Sequence, residues 1–305
     1  MYSFIKYLTV SIFFIFSGYA AAAESLNDSI HSDDLFFDPS RLAHLTAFSF
    51  FIFLFFYFIK RSKKGDSLYI RPIDAVSKID SAVGRAAEMG CPVLYAPGLG
   101  SLTDPVTVAS LSILSKVSER GARLYTKTLV PNYGPLTWPV AQEVVRHSYI
   151  RAGREHNYNS SDVPYFTSRS FTYAAATAGL MSREKPATNF MIGHFYSESL
   201  ILAETGAAMG AYQIGGTDSV EQIPFFITTC DSTLIGEEIF AAAALISNNP
   251  IERAVIKASD FFKIAVLLCL ALGFIASLLL DTATANYIPQ NLREWLEIFR
   301  EGRWL

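Results

Sequence analysis

Apolar positions fall in two patterns along the chain. Between residues 60 and 262 they come as short β-favouring runs alternating with longer stretches at helical spacing. A helix is expected over 71–90, "RPIDAVSKIDSAVGRAAEMG". The strand run "CPVLYAP" at 91–97 is then followed by "VTVASLSILSKVSERG", a helix whose end is expected at Gly121. "ARLYTKTLVP" and "TWPVAQEVVRHSYIRAG" make a second pair, "VPYFTS" and "SFTYAAATAGLMS" a third, "TNFMIGHF" and "SESLILAETGAAMG" a fourth. "AYQIGG" reads as a brief strand, and "PFFITTC" with "STLIGEEIFAAAALIS" as the last strand–helix pair. Strands alternating with helices imply an α/β fold: an open, mostly parallel, doubly wound, Rossmann-like sheet with helices on both faces. The least regular part, "GREHNYNSSDVP" at 153–164, reads as a polar surface loop.

Outside this region the apolar positions run together. Residues 1–23 have a weakly basic start, an apolar centre and small residues at the end, the pattern of a signal peptide or of an uncleaved anchor. Residues 24–41 form a short acidic extracytoplasmic segment. Residues 42–59 carry no charge, and 263–280 form a second apolar run; both read as transmembrane helices. Lys60, Arg61, Lys63 and Lys64 follow the first span, and Asp33, Asp34 and Asp38 precede it. Arg253, Lys257 and Lys263 precede the second span, and Asp281 follows it. The positive-inside rule then places 60–262 in the cytoplasm of a bacterial cell, on its inner membrane, and makes 281–305 an amphipathic extracytoplasmic tail.

Composition agrees. The 305 residues are 51% hydrophobic and only 17% charged. A net charge of −3 argues against a nucleic-acid partner. The three cysteines, Cys91, Cys230 and Cys269, stand in no metal-ligand or disulfide spacing. No metal and no cofactor is expected.

In a doubly wound fold, ligands bind beyond the carboxyl ends of the strands. The residues placed there by pattern are Gly98, Gly100, Ser101, Thr103 and Asp104 after the first strand, His194, Ser197 and Glu198 after the fourth, and Thr229, Asp231 and Ser232 after the last. Hydroxyls at helix N-termini can hold an anion, but the same residue types are the ordinary N-caps that any helix uses. "APGLGSLTDP" has G-x-G without a third glycine, and Thr103-Asp104-Pro105 reads as a cap followed by proline in the first turn. There is no P-loop and no G-x-S-x-G elbow. No catalytic residue is assigned, and the balance leans away from an enzyme.

The stretches "PVLYAPGLGSLTDPVTVASLSILSKVSERGARLYTKTLVPNYGP", "FYSESLILAETGAAMGAYQIGGTDSVEQIPFFITTCD" and "LIGEEIFAAAALIS" resemble a family of bacterial and archaeal membrane proteins whose shared cytoplasmic domain has no assigned function. The resemblance covers about residues 70–250 and implies a membrane setting and an α/β domain. It supplies no catalytic residues. The expectation is therefore a membrane-anchored, non-enzymatic scaffold or assembly protein, homo-oligomeric through helices rich in Ala and Gly, with the lipid bilayer and other membrane proteins as partners. Two alternatives stand beside it. One is a binding domain or enzyme for an anionic small molecule in the strand-end crevice. The other is a subunit of a larger transport or secretion complex.

Overall fold

The computed structural model describes residues 42–63, 73–247 and 250–281. The expected signal, the outer segment at 24–41 and the tail from 282 lie outside them. The chain divides into two units, residues 1–66 with 257–305, and residues 67–256.

In the first unit, helix α1 spans Leu42–Lys63. The last helix, α9 (Pro250–Asp281), belongs to it from Lys257 onward. Phe51 meets Phe262 edge-on with ring centroids 5.4 Å apart, and Phe58 meets Phe261 at 5.1 Å. Leu54 and Phe58 are buried there, while Phe48, Phe56, Leu267, Leu268, Leu270 and Phe274 are exposed. Among the described residues no helix is long and apolar enough to cross a membrane. Both apolar runs of the sequence continue through positions whose side chains are outside that set, at 42–47 and 53 and at 269, 272, 273 and 275–281.

The second unit is the α/β domain. Helix α2 (Asp74–Met89) leads into β1 (Val93–Ala96) and α3 (Pro105–Arg123), then β2 (Thr128–Leu129) and α4 (Thr137–Arg151). Helix α5 (Ser170–Glu184) precedes β3 (Thr188–Ile192), and α6 (Glu198–Ala208) precedes β4 (Tyr212–Thr217). Helix α7 (Ile223–Thr229), β5 (Ser232–Ile235) and α8 (Glu238–Ser247) complete it. The five strands are parallel, in the order β2-β1-β3-β4-β5. The doubly wound architecture is as expected, and its order is that of flavodoxin-like folds, with the switch point between β1 and β3.

Strand β1 is buried at every position, as a central parallel strand should be. Its side chains alternate between two cores. Val93 and Tyr95 join α2, α3, α4 and α8 on one face; Leu94 and Ala96 join α5, α6 and α7 on the other. Tyr95 pairs with Phe190 of β3, their rings stacked with centroids 6.0 Å apart. The Tyr95 hydroxyl, buried in this core, donates to the Ser110 carbonyl at 2.7 Å. Removal from water pushes its pKa up.

Three local expectations are corrected. "VPYFTS" is not a strand of the sheet. It runs beside the chain after β2 through an isolated bridge, Asn132 to Tyr165, and Pro164 has no N–H with which to extend a ladder. Gly121 does not end its helix, which continues to Arg123. A Cβ there would stand 2.8 Å from Thr128 Oγ1, so the glycine permits a close approach of α3 to β2. The last pair is exchanged: "PFFITT" is helix and "STLI" is strand. A short run of aromatic and β-branched residues looks the same in either state. Packing decides it, because Pro224 sits in the first helical turn and Phe226 lies against Gly215 of β4, where a Cβ would come within 2.9 Å of its ring.

The tightest backbone approach is at the switch point. A Cβ on Gly193 would collide with the carbonyl of Pro97. Gly193→Ala is therefore expected to cost about 2–3 kcal/mol. Gly90→Ala, in an open left-handed C-cap at φ 65°, should cost about 1 kcal/mol. Urea denaturation of the two variants measures the difference.

Candidate functional site

Two segments follow the strands that flank the switch point, 97–104 after β1 and 193–197 after β3. They are tied to one another. The Leu99 N–H donates to the His194 carbonyl at 2.8 Å. Gly98, at φ 85°, lies where a Cβ would stand 2.7 Å from that same oxygen. Gly98 and Gly193 thus serve a loop-to-loop contact in place where such folds usually open a ligand crevice.

The sequence-selected residues divide between the two ends of the sheet. Gly98, Gly100, Ser101, Thr103, Asp104, His194, Ser197 and Glu198 gather at the carboxyl end of β1 and β3. Thr229, Asp231 and Ser232 lie at the opposite end, because α7 ends at Thr229 and β5 begins at Ser232. Asp231 is occupied there: its N–H donates to the Gln213 carbonyl at 3.0 Å, and its Oδ2 accepts the Gln213 N–H at 2.8 Å. Asp231 and Ser232 border a shallow cavity of about 560 Å³ beside the start of α2, in which Lys78 is held by Asp74 at 2.5 Å.

At the carboxyl ends of β1 and β3, a carboxylate of the protein stands at the start of the helix that follows, Asp104 before α3 and Glu198 in α6. Asp104, the residue before α3, does not cap the helix with its side chain. Its Oδ2 accepts the Ser101 N–H at 2.7 Å. Ser101 and Thr103 share a hydroxyl–hydroxyl hydrogen bond at the exposed rim. Glu198 opens α6 and is fully buried. Its Oε1 accepts the Tyr196 N–H at 2.7 Å, and its Oε2 has no hydrogen-bond partner. Ser197, exposed on the turn, makes no side-chain cap bond. "APGLGSLTDP" is thus a turn in which the Ser101 N–H is spent on Asp104.

Asp218, just past β4, was not singled out by the sequence. Its Oδ1 is 2.7 Å from His194 Nδ1, and the imidazole lies edge-on to Tyr196 with ring centroids 4.8 Å apart. The one trace it leaves in the sequence is an acidic residue directly after a strand, in "IGGTDS". A carboxylate at Nδ1 favours the tautomer with its proton on that nitrogen and leaves Nε2 as the acceptor, the geometry of a base held by an orienting acid. Among the described residues no group of three or more His, Cys, Asp or Glu is placed to hold a metal ion.

Residues 32–288 match the family described as a domain of unknown function, DUF6754, and the chain belongs to that family. The matched region takes in both apolar helices as well as the α/β domain. No curated protein matches the chain. No solved structure matches it either.

Cysteine chemistry at Cys230 is disfavoured by its surroundings. Burial pushes the thiol up to about 12, so the reactive thiolate is scarce at neutral pH. Iodoacetamide at pH 8.5 is expected to leave Cys230 unmodified in the folded chain and to alkylate it once the chain is unfolded in urea. Peptide mass spectrometry reads both states.

Proposed function

We propose that this chain is a membrane-anchored, non-enzymatic scaffold or assembly protein, homo-oligomeric through its α/β domain. The observation that carries the reading is the apolar surface of α1 and α9. Phe56 is 64% exposed, Leu267 64% and Phe274 71%. In water each such side chain forgoes the burial that stabilises a fold, at about 25 cal/mol per Å². A bilayer supplies that burial. The basic residues within 60–64 and 253–263, next to both apolar runs, support a cytoplasmic position for the α/β domain on a bacterial inner membrane, as the positive-inside rule would have it.

Assembly is favoured over small-molecule turnover by two features of the α/β domain. Its customary crevice is bridged by its own backbone. In addition, α6 and α7, which pack together, leave Ile201, Phe225 and Ile227 exposed on their outer side. Tethering to one membrane raises effective concentration, so weak contacts between domains suffice. The His194–Asp218 pair supports a second reading, a binding domain or enzyme at the switch point, and a partner-dependent role within a larger membrane complex is a third.

Full-length protein extracted in mild detergent is expected to run as several copies by light scattering. Phe225→Lys with Ile227→Lys should shift it to one copy while changing domain stability by no more than about 0.5 kcal/mol, as surface substitutions usually do. A single copy at every concentration before mutation would overturn the proposal.

A further inference from the structure

We infer that the β1/β3 switch point is built to receive a protonated nitrogen group, an ammonium or guanidinium, on the carboxylate of Glu198, and not the anion that doubly wound folds usually bind there. The inference goes beyond the scaffold reading and does not depend on it.

The first ground is what occupies the helix N-termini. In this architecture the partial positive ends of the helices at the switch point attract phosphate or carboxylate ligands. Here Asp104 takes the Ser101 N–H before α3, and Glu198 takes the Tyr196 N–H before α6. Both bonds fall on backbone just outside the helices, and each sets a carboxylate beside a positive helix end, where an incoming anion would be repelled.

Charge is the second ground. The segments 97–104, 193–197 and 218–222, which follow β1, β3 and β4, contain no Lys or Arg. They bring Asp104, Asp218 and Glu221, and Glu198 follows directly after the second. The basic groups at this end are His194, which is engaged by Asp218, and Arg169, exposed before α5. A phosphate would meet mostly acid.

The third ground is the unmet bond. Glu198 is fully buried, and Oε2 has no hydrogen-bond partner. A buried carboxylate oxygen without a donor is costly, and native structures seldom leave one so. Its neighbour Tyr173 offers no proton to it, since the Tyr173 hydroxyl donates to the Pro131 carbonyl at 3.1 Å. Oε2 therefore calls for an N–H or O–H from outside the protein. No set of three or more acidic, His or Cys side chains is placed among the described residues to complete the shell of a bare metal ion. A ligand that brings its own N–H directions fits one carboxylate oxygen better. Tyr196 and Ser197, which directly precede Glu198, are exposed.

The test uses the full-length chain in detergent with three probes of similar size range: agmatine, which carries both an amine and a guanidinium, neutral 1,4-butanediol, and inorganic phosphate. Agmatine is expected to raise the melting temperature and to bind by calorimetry, while butanediol and phosphate do neither. Glu198→Gln should weaken agmatine at least tenfold, and Glu204→Gln, at an exposed position further along α6, should leave it unchanged. Stabilisation by phosphate, or no difference between agmatine and butanediol on the unmutated chain, would sink the idea whether or not the Gln variant folds. So would agmatine binding that survives Glu198→Gln, or an experimental structure grown with agmatine that has only a water on Oε2.

Discussion

The contact between the Leu99 N–H and the His194 carbonyl is the constraint on which the α/β domain turns. A hydrogen bond of this kind contributes only about 1 kcal/mol net, yet its position gives it leverage. It joins the two segments that leave the central strands β1 and β3 just where the strand order reverses. The backbones meet there only because Gly98 and Gly193 carry no Cβ; either one would drive a side chain into the opposite main chain. The buried hydroxyls around the junction reinforce it. Tyr95 donates to Ser110, and Ser110 donates to the carbonyl of Ile192, the last residue of β3. Core, strand register and loop closure are therefore one linked set of contacts.

That closure changes what the helix N-termini can do. The first turn of any helix leaves N–H groups to be satisfied, and in doubly wound folds a ligand often satisfies them. Here Asp104 and Glu198 turn their carboxylates back onto the segments that precede α3 and α6. Each neutralises a positive end locally, at the expense of the anion site. The two are not equivalent. Asp104 lies near the rim and shares charge with solvent, whereas Glu198 is buried with one oxygen engaged and one not.

Much of this architecture was legible in the residues. Helices α2 to α6 and strands β1, β3 and β4 follow from apolar spacing, and the left-handed Gly90 and Gly153 stand just past helix ends as spacing implies. The misreadings share a cause. "VPYFTS", Gly121 and "PFFITTC" look alike in either state on local pattern, and each is settled by packing against another element: the chain after β2, Thr128 of β2, and Gly215 of β4. The candidate site was half legible. Strand ends located Gly98 to Asp104 and His194 to Glu198, but exchanging the last strand and helix carried Thr229, Asp231 and Ser232 to the far end of the sheet. Asp218 was missed because one acid after a strand has no spacing signature. The G-x-G stretch reads as a turn before a cradle, but what its glycines admit was not legible, since a glycine that admits a ligand and one that admits a neighbouring backbone are identical in sequence.

The family match gives the apolar helices a meaning that the α/β domain alone would not. It runs from residue 32 to 288, so α1 and α9 belong to the same unit of inheritance as the sheet. Helices that leave Phe and Leu side chains largely exposed are poorly matched to water, and water-soluble domains rarely keep broad apolar patches without a partner surface. Under the proposed scaffold reading, a sheet domain bracketed in sequence by two such helices would act through its outer surface. Attachment at both ends would confine that surface to one plane, where domain contacts too weak to persist in solution become sufficient. On α6, Ala203 and Gly206 lie close to the sheet, where a Cβ on Gly206 would meet Gln213 of β4 and Asn189 of β3, while Ile201 is exposed; under the proposed reading it is such exposed positions that a neighbouring copy would cover.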